Sequence, residues 1–319
     1  MLRSGMSDWP FLMNFHRTRR GQTLALASLV GREGSSYRQP GARMLIDAAG
    51  AHVGSLSGGC LEEGIAAVGK RVIASGNPER LEIDTRPHFG CPGKLRIHVE
   101  RLNPADRLLD RIERRLKRRS TFMLGTGEAT RFLAKSVPSA ELSEFVGLQP
   151  RLVMIGGASD GAPLLRIAAE LGWDLHRVLR GEHPAIVAGE KTTGCPAEEI
   201  AAVFPPDPAT AVLVMTHHLA TDLHFLKNLL PHSYPYIGLL GSRRRRETLL
   251  AEAGASGLLE DPTVGARLFA PVGLDLGAGH PATIALGVVA EIQAVLAGTD
   301  GGFLRDRTGT IHPRGEAWA

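Results

Sequence analysis

The chain has 319 residues, a formal net charge of +4, 43% hydrophobic residues and 5% aromatic residues. This length suits two domains, and this hydrophobic content is normal for a globular protein with a packed core. The scarcity of aromatic side chains argues against single-stranded nucleic-acid binding, and no apolar run approaches the ~20 residues that span a membrane.

The cysteines are far apart in the sequence, at Cys60, Cys91 and Cys195. There is no CxxC motif and no even set of cysteines, which argues against a disulfide scaffold and against a closed zinc site. Free thiols favour a reducing compartment. We therefore expect a cytoplasmic protein that has neither a nucleic acid nor a membrane as its partner.

The N-terminal half begins with a predicted helix in residues 1–20 and a predicted strand over 24–30. A loop rich in glycine and serine follows over 34–43 and ends at Arg43. Its backbone, hydroxyl and guanidinium donors suit an oxyanion or a phosphate. An ordinary surface loop is the alternative interpretation.

The stretch 54–62, GSLSGGCLE, carries the clearest chemical signal. Gly58 and Gly59 permit a sharp turn directly before Cys60. Apolar residues at helical spacing continue to Gly76, so a helix is predicted to begin beside the thiol. Because helix N–H groups favour negative charge, Cys60 is a candidate contact for a metal, an anionic cofactor or sulfur. The alternative is a small buried cysteine in a tight turn.

Cys91 lies in a glycine-containing turn between predicted strands over 81–85 and 94–100. A cysteine held in such a turn can meet a second cysteine, such as Cys60, across one site. An incidental turn cysteine is the alternative, and the sequence does not separate the two.

A helix is predicted after Asn103, which can cap it, with proline at its first position. One side is apolar and the other carries a run of basic residues: Arg107, Arg111, Arg114, Arg115, Lys117, Arg118 and Arg119. A basic face can bind nucleic acid or a membrane, but we interpret it as the solvated side of an amphipathic helix. Strands are predicted over 121–137, and a linker over 138–150.

The second half alternates buried strands with helical patterns, the strands lying over 152–155, 174–179, 211–216 and 236–241. This alternation is typical of a doubly wound parallel sheet. Ala158 stands where the dinucleotide fingerprint has its second glycine, and Leu179 and Arg180 stand where an acidic ribose contact is expected. Classical NAD binding is therefore disfavoured, although Arg180 suits a 2′-phosphate.

Ligands of such sheets bind beyond the carboxyl ends of the strands. Thr216, His217 and His218 lie at the carboxyl end of one predicted strand, and Ser242 and Arg243 lie at the end of another. Neighbouring histidines point in different directions, which argues against a metal shared by both. Ser242 is expected to cap a helix whose N–H groups can receive an oxyanion.

Taken together, these stretches resemble the xanthine dehydrogenase accessory protein family (XdhC/CoxI type). The matching stretches occur in family order across both halves: 34–36 with 40–44, 54–62, 215–217 with Asp222, 236–243, and 271–277 with Pro281 and 290–292. The resemblance implies an α/β chain with an N-terminal α+β cysteine-bearing domain over 1–148 and a Rossmann-like, doubly wound parallel-sheet domain over 149–319.

The resemblance also implies a cytoplasmic chaperone without turnover chemistry, often a homodimer. Such proteins bind the molybdenum cofactor and help it to acquire its sulfido ligand from a cysteine desulfurase. They then deliver it to a molybdenum hydroxylase of the xanthine dehydrogenase type. Cys60 becomes the thiol that faces the metal or its sulfur, and Cys91 a second candidate. The remaining expected cofactor contacts are Ser57, Gly58, Gly59, Arg43, Thr216, His217, Ser242 and Arg243.

Two positions depart from the family pattern: Pro92 replaces a glycine after Cys91, and Ser159 replaces a histidine. Two other functions stay open at this point. One is an NADP-type oxidoreductase that uses Arg180. The other is an adaptor between the desulfurase and the hydroxylase that binds no small molecule, although a pure adaptor has no need of Cys60.

Overall fold

The computed structural model describes residues 8–34, 36–85, 93–135, 140–157, 160–179, 190–252 and 261–308. The chain divides between Leu148 and Gln149 into two compact units, here called the N-terminal and C-terminal units. Among the described residues, none of the helices is both long enough and apolar enough to cross a bilayer.

The N-terminal unit is built from short helices and mostly antiparallel strands. Its described elements are α1 (Trp9–Arg17), β1 (Leu24–Gly34), β2 (Arg43–Ile46), β3 (His52–Gly54), α2 (Glu62–Ser75), β4 (Glu79–Asp84), β5 (Gly93–Leu102), α3 (Leu108–Lys117), β6 (Phe122–Thr126), β7 (Arg131–Leu133) and β8 (Leu142–Val146).

A five-stranded antiparallel sheet in the order β3-β2-β1-β5-β4 forms the centre of this unit. Side chains alternate along β1, so Ala25, Ala27 and Leu29 face one side and Leu24 and Leu26 face the other. The two faces therefore build two separate apolar clusters.

Helix α2 covers the first face. Ile65, Val68 and Val72 recur at helical spacing and are buried against the sheet. The helix ends at Gly76, whose φ of 79° is the left-handed conformation that commonly closes a helix.

Helices α1 and α3 and a three-stranded sheet, β7-β6-β8, supply the apolar residues of the second face. Strand β8 lies within the stretch predicted to be a linker, so that prediction is wrong. Phe122 pairs with Val146 across β6 and β8, and both side chains are buried. Residues 142–146 form a strand, despite the turn-rich composition around them, because the end of this strand is buried.

The C-terminal unit alternates strands with helices. Its described elements are β9 (Arg151–Gly156), α4 (Gly161–Glu170), β10 (Asp174–Leu179), β11 (Glu190–Gly194), α5 (Ile200–Val203), β12 (Thr210–Met215), α6 (Leu219–Leu229), β13 (Tyr236–Leu239), α7 (Arg243–Glu252), α8 (Pro262–Gly265), β14 (Leu268–Phe269) and α9 (Pro281–Ala297).

The six strands of this unit form one parallel sheet in the order β11-β10-β9-β12-β13-β14. Helices α4 and α9 pack on one face, and α5, α6 and α7 pack on the other. The predicted fold class is confirmed: an α+β unit is followed by a Rossmann-like, doubly wound parallel sheet. The chain order reverses between the adjacent strands β9 and β12, and this switch point is where such sheets bind ligands.

Candidate functional site

Cys60 lies in a tight loop that connects β3 to α2. Gly58 and Gly59 have φ of 90° and 117°, which L side chains rarely adopt. The thiol of Cys60 is free and exposed. The loop therefore presents Cys60 at the surface, two residues before the helix begins at Glu62.

The carboxylate of Glu62 holds this loop in place. Oε1 accepts from Ser55 Oγ at 2.7 Å, from the Leu56 N–H at 3.0 Å and from the Ser57 N–H at 2.9 Å. Oε2 accepts from Ser57 Oγ at 2.7 Å and from the Leu61 N–H at 3.0 Å. A single carboxylate thus orients residues on both sides of the glycine pair.

The charge of Glu62 is stabilised by these donors. Burial by itself raises the pKa of Glu62, but the hydrogen bonds from Ser57, Ser55 and Leu61 outweigh it and lower the pKa to about 2. Sequence reasoning assigned no role to Glu62. The available signal was an acidic residue in the first turn of a predicted helix, where a side chain can reach back to N–H groups before the helix.

Tyr37 is a second residue that sequence reasoning missed. Its side chain is 70% exposed. A Cβ added to Gly58 would lie 2.8 Å from Tyr37 Cδ1, so the aromatic ring packs directly on the backbone of the glycine turn. An exposed aromatic ring beside the thiol loop offers a flat surface to a planar ligand.

Arg43 lies inside the N-terminal unit and does not face solvent. It is 1% exposed, its Nη2 lies 2.9 Å from Glu144 Oε2, and its guanidinium lies 5.2 Å from the centre of the Trp9 ring. Because the charge is already balanced by a buried carboxylate, we correct the expectation that Arg43 contacts an anion from outside. Cys91 lies outside the described residues.

The described residues contain no group of three or more His, Cys, Asp or Glu side chains suited to hold a metal ion. Cys195 is buried, burial raises the pKa of its thiol, and its Sγ donates to the Pro196 carbonyl at 3.3 Å. Among the described cysteines, Cys60 is therefore the one accessible to a ligand.

At the switch point of the C-terminal sheet, the turn after β9 touches the end of β12. Gly156 has φ of 84°, and a Cβ there would lie 2.7 Å from Thr216 Cα and 2.8 Å from the Met215 carbonyl oxygen. Only glycine fits this approach of two backbones. The sheet therefore brings the predicted residue Thr216 against the first glycine turn.

A buried carboxylate organises the end of β12. Asp222 is 0% exposed. Its Oδ1 accepts from the Thr216 N–H at 3.1 Å, and its Oδ2 accepts from Arg245 Nη2 at 2.6 Å. Asp222 thereby connects the loop after β12 to helix α7, which follows β13.

The two neighbouring histidines have different partners. His217 is exposed, adopts a left-handed φ of 61°, and its Nε2 lies 2.7 Å from Asp160 Oδ2. His218 accepts from the Thr221 N–H at 3.4 Å through Nδ1, at the start of α6. The imidazole of His217 is therefore paired with a carboxylate at the carboxyl edge of the sheet, whereas the imidazole of His218 caps helix α6.

Ser242 and Arg243 begin α7 at the same edge. Ser242 Oγ accepts from the Arg245 N–H at 3.2 Å, which is the expected cap. Arg243 is exposed at the first helical position. Thr216, His217, Ser242 and Arg243 thus belong to the carboxyl edge of one sheet, while Ser57, Gly58, Gly59 and Cys60 belong to one loop of the other unit. Arg180, Ala158 and Ser159 lie outside the described residues.

Family models match both units. One described as the XdhC Rossmann domain matches residues 152–292, and one described as the XdhC and CoxI family matches residues 18–84.

Two curated proteins are similar along most of their length. A Bacillus subtilis (strain 168) protein, named as a probable subunit of xanthine dehydrogenase, is 30% identical over 313 residues, covering 84% of this chain and 91% of that protein. An Escherichia coli (strain K12) protein named molybdenum cofactor insertion chaperone PaoD is 26% identical over 305 residues, covering 89% of this chain and 90% of that protein.

A crystal structure described as a xanthine dehydrogenase from Bacillus halodurans shares the fold. It has a TM-score of 0.75 at 24% identity and covers 92% of this chain and 96% of that chain. The match of both family models, together with 30% identity over most of the Bacillus subtilis protein, places the sequence in one family. The chain belongs to the XdhC and CoxI family.

Proposed function

We propose that this chain is an accessory protein that binds the molybdenum cofactor as cargo and delivers it to a hydroxylase of the xanthine dehydrogenase type. The names of the two curated relatives support this function, since one is a cofactor insertion chaperone and the other belongs to xanthine dehydrogenase. The protein holds the cofactor without performing turnover chemistry on it.

The observation that carries the proposal is the exposed Cys60 thiol on a loop fixed by Glu62. A thiolate is a soft ligand and suits a thiophilic metal or its sulfur. Because the loop is held by five hydrogen bonds to one carboxylate, little conformational entropy is lost when a ligand binds. Cys91 is the second thiol of the proposal.

The organic part of the cargo is a flat pterin that carries a phosphate. In the N-terminal unit we assign Tyr37 to the pterin ring and the backbone of Gly58 and Gly59 to its polar groups. In the C-terminal unit, Ser242 and Arg243 at the start of α7 suit an anion, because helix N–H groups and a guanidinium both favour negative charge. Thr216 and His217 complete that edge of the sheet.

The protein has two partner proteins, a cysteine desulfurase and the hydroxylase, and two domains. A cysteine desulfurase supplies the sulfur of the terminal sulfido ligand, and the loaded protein then meets the hydroxylase. Residues 1–148 form the thiol-bearing domain and residues 149–319 the Rossmann-like domain. The protein is a cytoplasmic homodimer in this scheme.

The test is retention of the cofactor by purified, reduced, full-length protein. Cofactor released anaerobically from a molybdenum enzyme is incubated with the protein, and co-purifying pterin and molybdenum are assayed. We expect stoichiometric retention by the wild type and by Cys195→Ala, and a loss of at least ~10-fold in Cys60→Ser, which keeps the size of the side chain. Equal retention by both variants would remove Cys60 from the site. No retention by the folded wild type would support the adaptor function instead.

Binding of a dinucleotide by the C-terminal unit is a second candidate function. The strand order β11-β10-β9-β12-β13-β14 favours it, because this is the order of dinucleotide-binding sheets. Calorimetric titration with NADP⁺ and NAD⁺ tests it. Saturable binding of either nucleotide by the folded wild type would support it, and the absence of binding heat at millimolar nucleotide would reject it.

A further inference from the structure

We infer that the exposed side of helix α3 is a docking surface for an acidic segment of a partner protein. This inference goes beyond cofactor binding and does not depend on it. The surface is an arginine stripe formed by Arg107, Arg111, Arg114, Arg115 and Arg118, all of them exposed. Their spacing of three and four residues places them along one side of the helix and its two ends.

The other charged side chains of α3 have partners within the N-terminal unit. Asp110 Oδ1 lies 3.2 Å from His16 Nε2. The buried carboxylate of Glu113 forms three ion pairs, with nitrogen–oxygen distances of 2.7–2.9 Å, to Arg17, Arg20 and Lys117. Burial by itself raises the pKa of Glu113, but these contacts outweigh it and lower the pKa to about 2. The acidic positions of α3 are thus used internally.

The arginine stripe differs in this respect. Within the described ranges, none of its five guanidinium groups forms an ion pair. Arg111 lies over the ring of Phe132, at 4.3 Å from its centre, and so covers an aromatic surface with positive charge. The stripe therefore keeps its charge available to a partner.

The stability of the helix accounts for only part of the arginine stripe. Cations near the C-terminal end, such as Arg115 and Arg118, are favoured by the helix dipole. Arg107 stands at the opposite end, where a cation is disfavoured, and it has a left-handed φ of 52° without a side-chain cap. Arginines four residues apart also repel one another along the helix. Arg107 and Arg111 therefore gain nothing from the helix dipole, and an external acidic ligand accounts for their placement.

The charge of this face exceeds that of the whole chain. With Arg17, Arg20 and Lys117, the face has eight exposed cations, against the carboxylates of Asp106, Asp110 and Glu113. The surplus of five positive charges is larger than the net charge of +4 of the protein. Such a concentrated field attracts an acidic surface and speeds its association.

A pocket of about 340 Å³ opens beside the stripe, and Arg107 and Arg114 form part of its lining together with Arg20 and Lys117. Guanidinium groups bind carboxylates through two parallel hydrogen bonds. The pocket is also lined by Asp106, Asp110 and Glu113, and Arg20 and Lys117 are paired with Glu113. Arg107 and Arg114 are therefore the groups that can bind a glutamate or aspartate of the partner, while neighbouring acidic side chains pair along the stripe. The stripe spans ~16 Å, which matches a short helical or extended acidic segment.

Two other occupants fit less well. Leu108, Leu109 and Ile112 are buried against the unit, so α3 has no exposed apolar side to insert into a bilayer. A nucleic acid fits less well because the described aromatic ring beside the stripe, Phe132, is already covered by Arg111 and is not free to stack on its bases.

The test uses full-length protein and a fluorescent glutamate-rich peptide that is long enough to span the stripe. The stripe variant is Arg111→Glu/Arg114→Glu/Arg115→Glu. The control is Arg166→Glu/Lys227→Glu/Arg244→Glu, which changes the net charge equally at exposed cations of the other unit. We expect the stripe variant to bind at least ~10-fold more weakly, the control to stay within ~3-fold, and wild-type affinity to fall as salt rises.

Thermal unfolding checks that each variant is folded. If the stripe variant does not fold, the same three positions are changed to Gln, with Gln also used in the control. Equal weakening in the stripe and control variants would overturn the inference, because the peptide would then respond only to net charge. Tighter binding of a DNA or RNA duplex, or of phosphatidylserine vesicles, that is lost in the stripe variant would also overturn it and assign the stripe to that ligand.

Discussion

Glu62 accepts a hydrogen bond from the backbone N–H of Ser57 at 2.9 Å, so the first residue of α2 fixes the chain three positions before Cys60. The helix and the thiol loop are therefore coupled. Any change that weakens this contact acts on the position of the Cys60 thiol as well as on stability.

The first prediction concerns Glu62→Gln. An amide has a single acceptor oxygen where the carboxylate has two, so some of the five donors lose their partner. We expect a loss of about 1–3 kcal/mol in the free energy of unfolding, measured by urea titration. The matched control is Glu63→Gln, an exposed neighbour in the same turn, which should stay within about 0.5 kcal/mol of the wild type.

The stabilising effect of Glu62 depends on pH. Its pKa is lowered from 4.5 to about 2 in the folded chain. The carboxylate therefore contributes its full stabilisation above pH 4.5 and loses it as the pH falls from 4.5 towards 2. The gap in unfolding free energy between the wild type and Glu62→Gln should narrow over that interval. A gap that stays constant from neutral pH down to this range would contradict the assignment.

His98 gives a separate pH effect at a higher pH. It is fully buried, and burial lowers its pKa, although the nearby charge of Glu100 opposes the shift. Because the unfolded chain binds a proton more readily than the folded one, stability should fall as the pH drops below 6.5. The loss is at most about 1.4 kcal/mol per pH unit. The free energy of unfolding, measured by urea titration between pH 7 and pH 5, should depend less steeply on pH in His98→Gln than in the wild type. An equal dependence on pH in both proteins would refute the role of His98.

Gly156→Ala should severely destabilise the C-terminal unit. The new Cβ would lie 2.7 Å from Thr216 Cα and 2.8 Å from the Met215 carbonyl oxygen, and the φ of 84° is strained for alanine. We expect a cost of about 2–4 kcal/mol. Gly64→Ala is the matched control: it lies in α2 with nothing within 4 Å of the new Cβ, and alanine should stabilise that helix by about 0.5–1 kcal/mol. Calorimetric melting of both variants measures the contrast.

Tyr37 should contribute to cofactor affinity through its ring. Removal of the ring in Tyr37→Ala is expected to weaken retention of the cofactor by a factor of about 5–100, the range for loss of one stacked ring. Tyr37→Phe keeps the ring and should bind within about 2-fold of the wild type. Fluorescence titration with the released cofactor separates the two variants, and equal affinities would place the pterin elsewhere.

The sequence predicted both the N-terminal α+β fold and the C-terminal parallel sheet, because each leaves a periodic pattern of apolar residues. Apolar runs such as 152–155 and 211–215 are buried on both faces of a parallel sheet, and the glycine turn after β9 marks the point where two backbones meet. Strand β8 was missed because Leu142–Val146 is short and only its last residue is fully buried. Its pairing with β6 depends on contacts that are distant in sequence.

The sequence indicated the candidate residues of the site better than it indicated which residues contact one another. The glycine pair and Cys60 follow from local backbone rules, as does the cap at Ser242. The burial of Arg43 beside Glu144 and the packing of Tyr37 on Gly58 join residues that are far apart or in different loops. One-dimensional spacing carries no information about such pairs.

The most direct test of the central claim is protection of Cys60 from alkylation by bound cofactor. Reduced full-length protein is treated with iodoacetamide under anaerobic conditions, with and without saturating molybdenum cofactor, and modification of each cysteine is followed by peptide mass spectrometry. The account predicts that the cofactor slows alkylation of Cys60 by at least ~10-fold and leaves the buried Cys195 unchanged. An unchanged rate at Cys60, with cofactor demonstrably bound, would contradict the claim that this thiol forms the site.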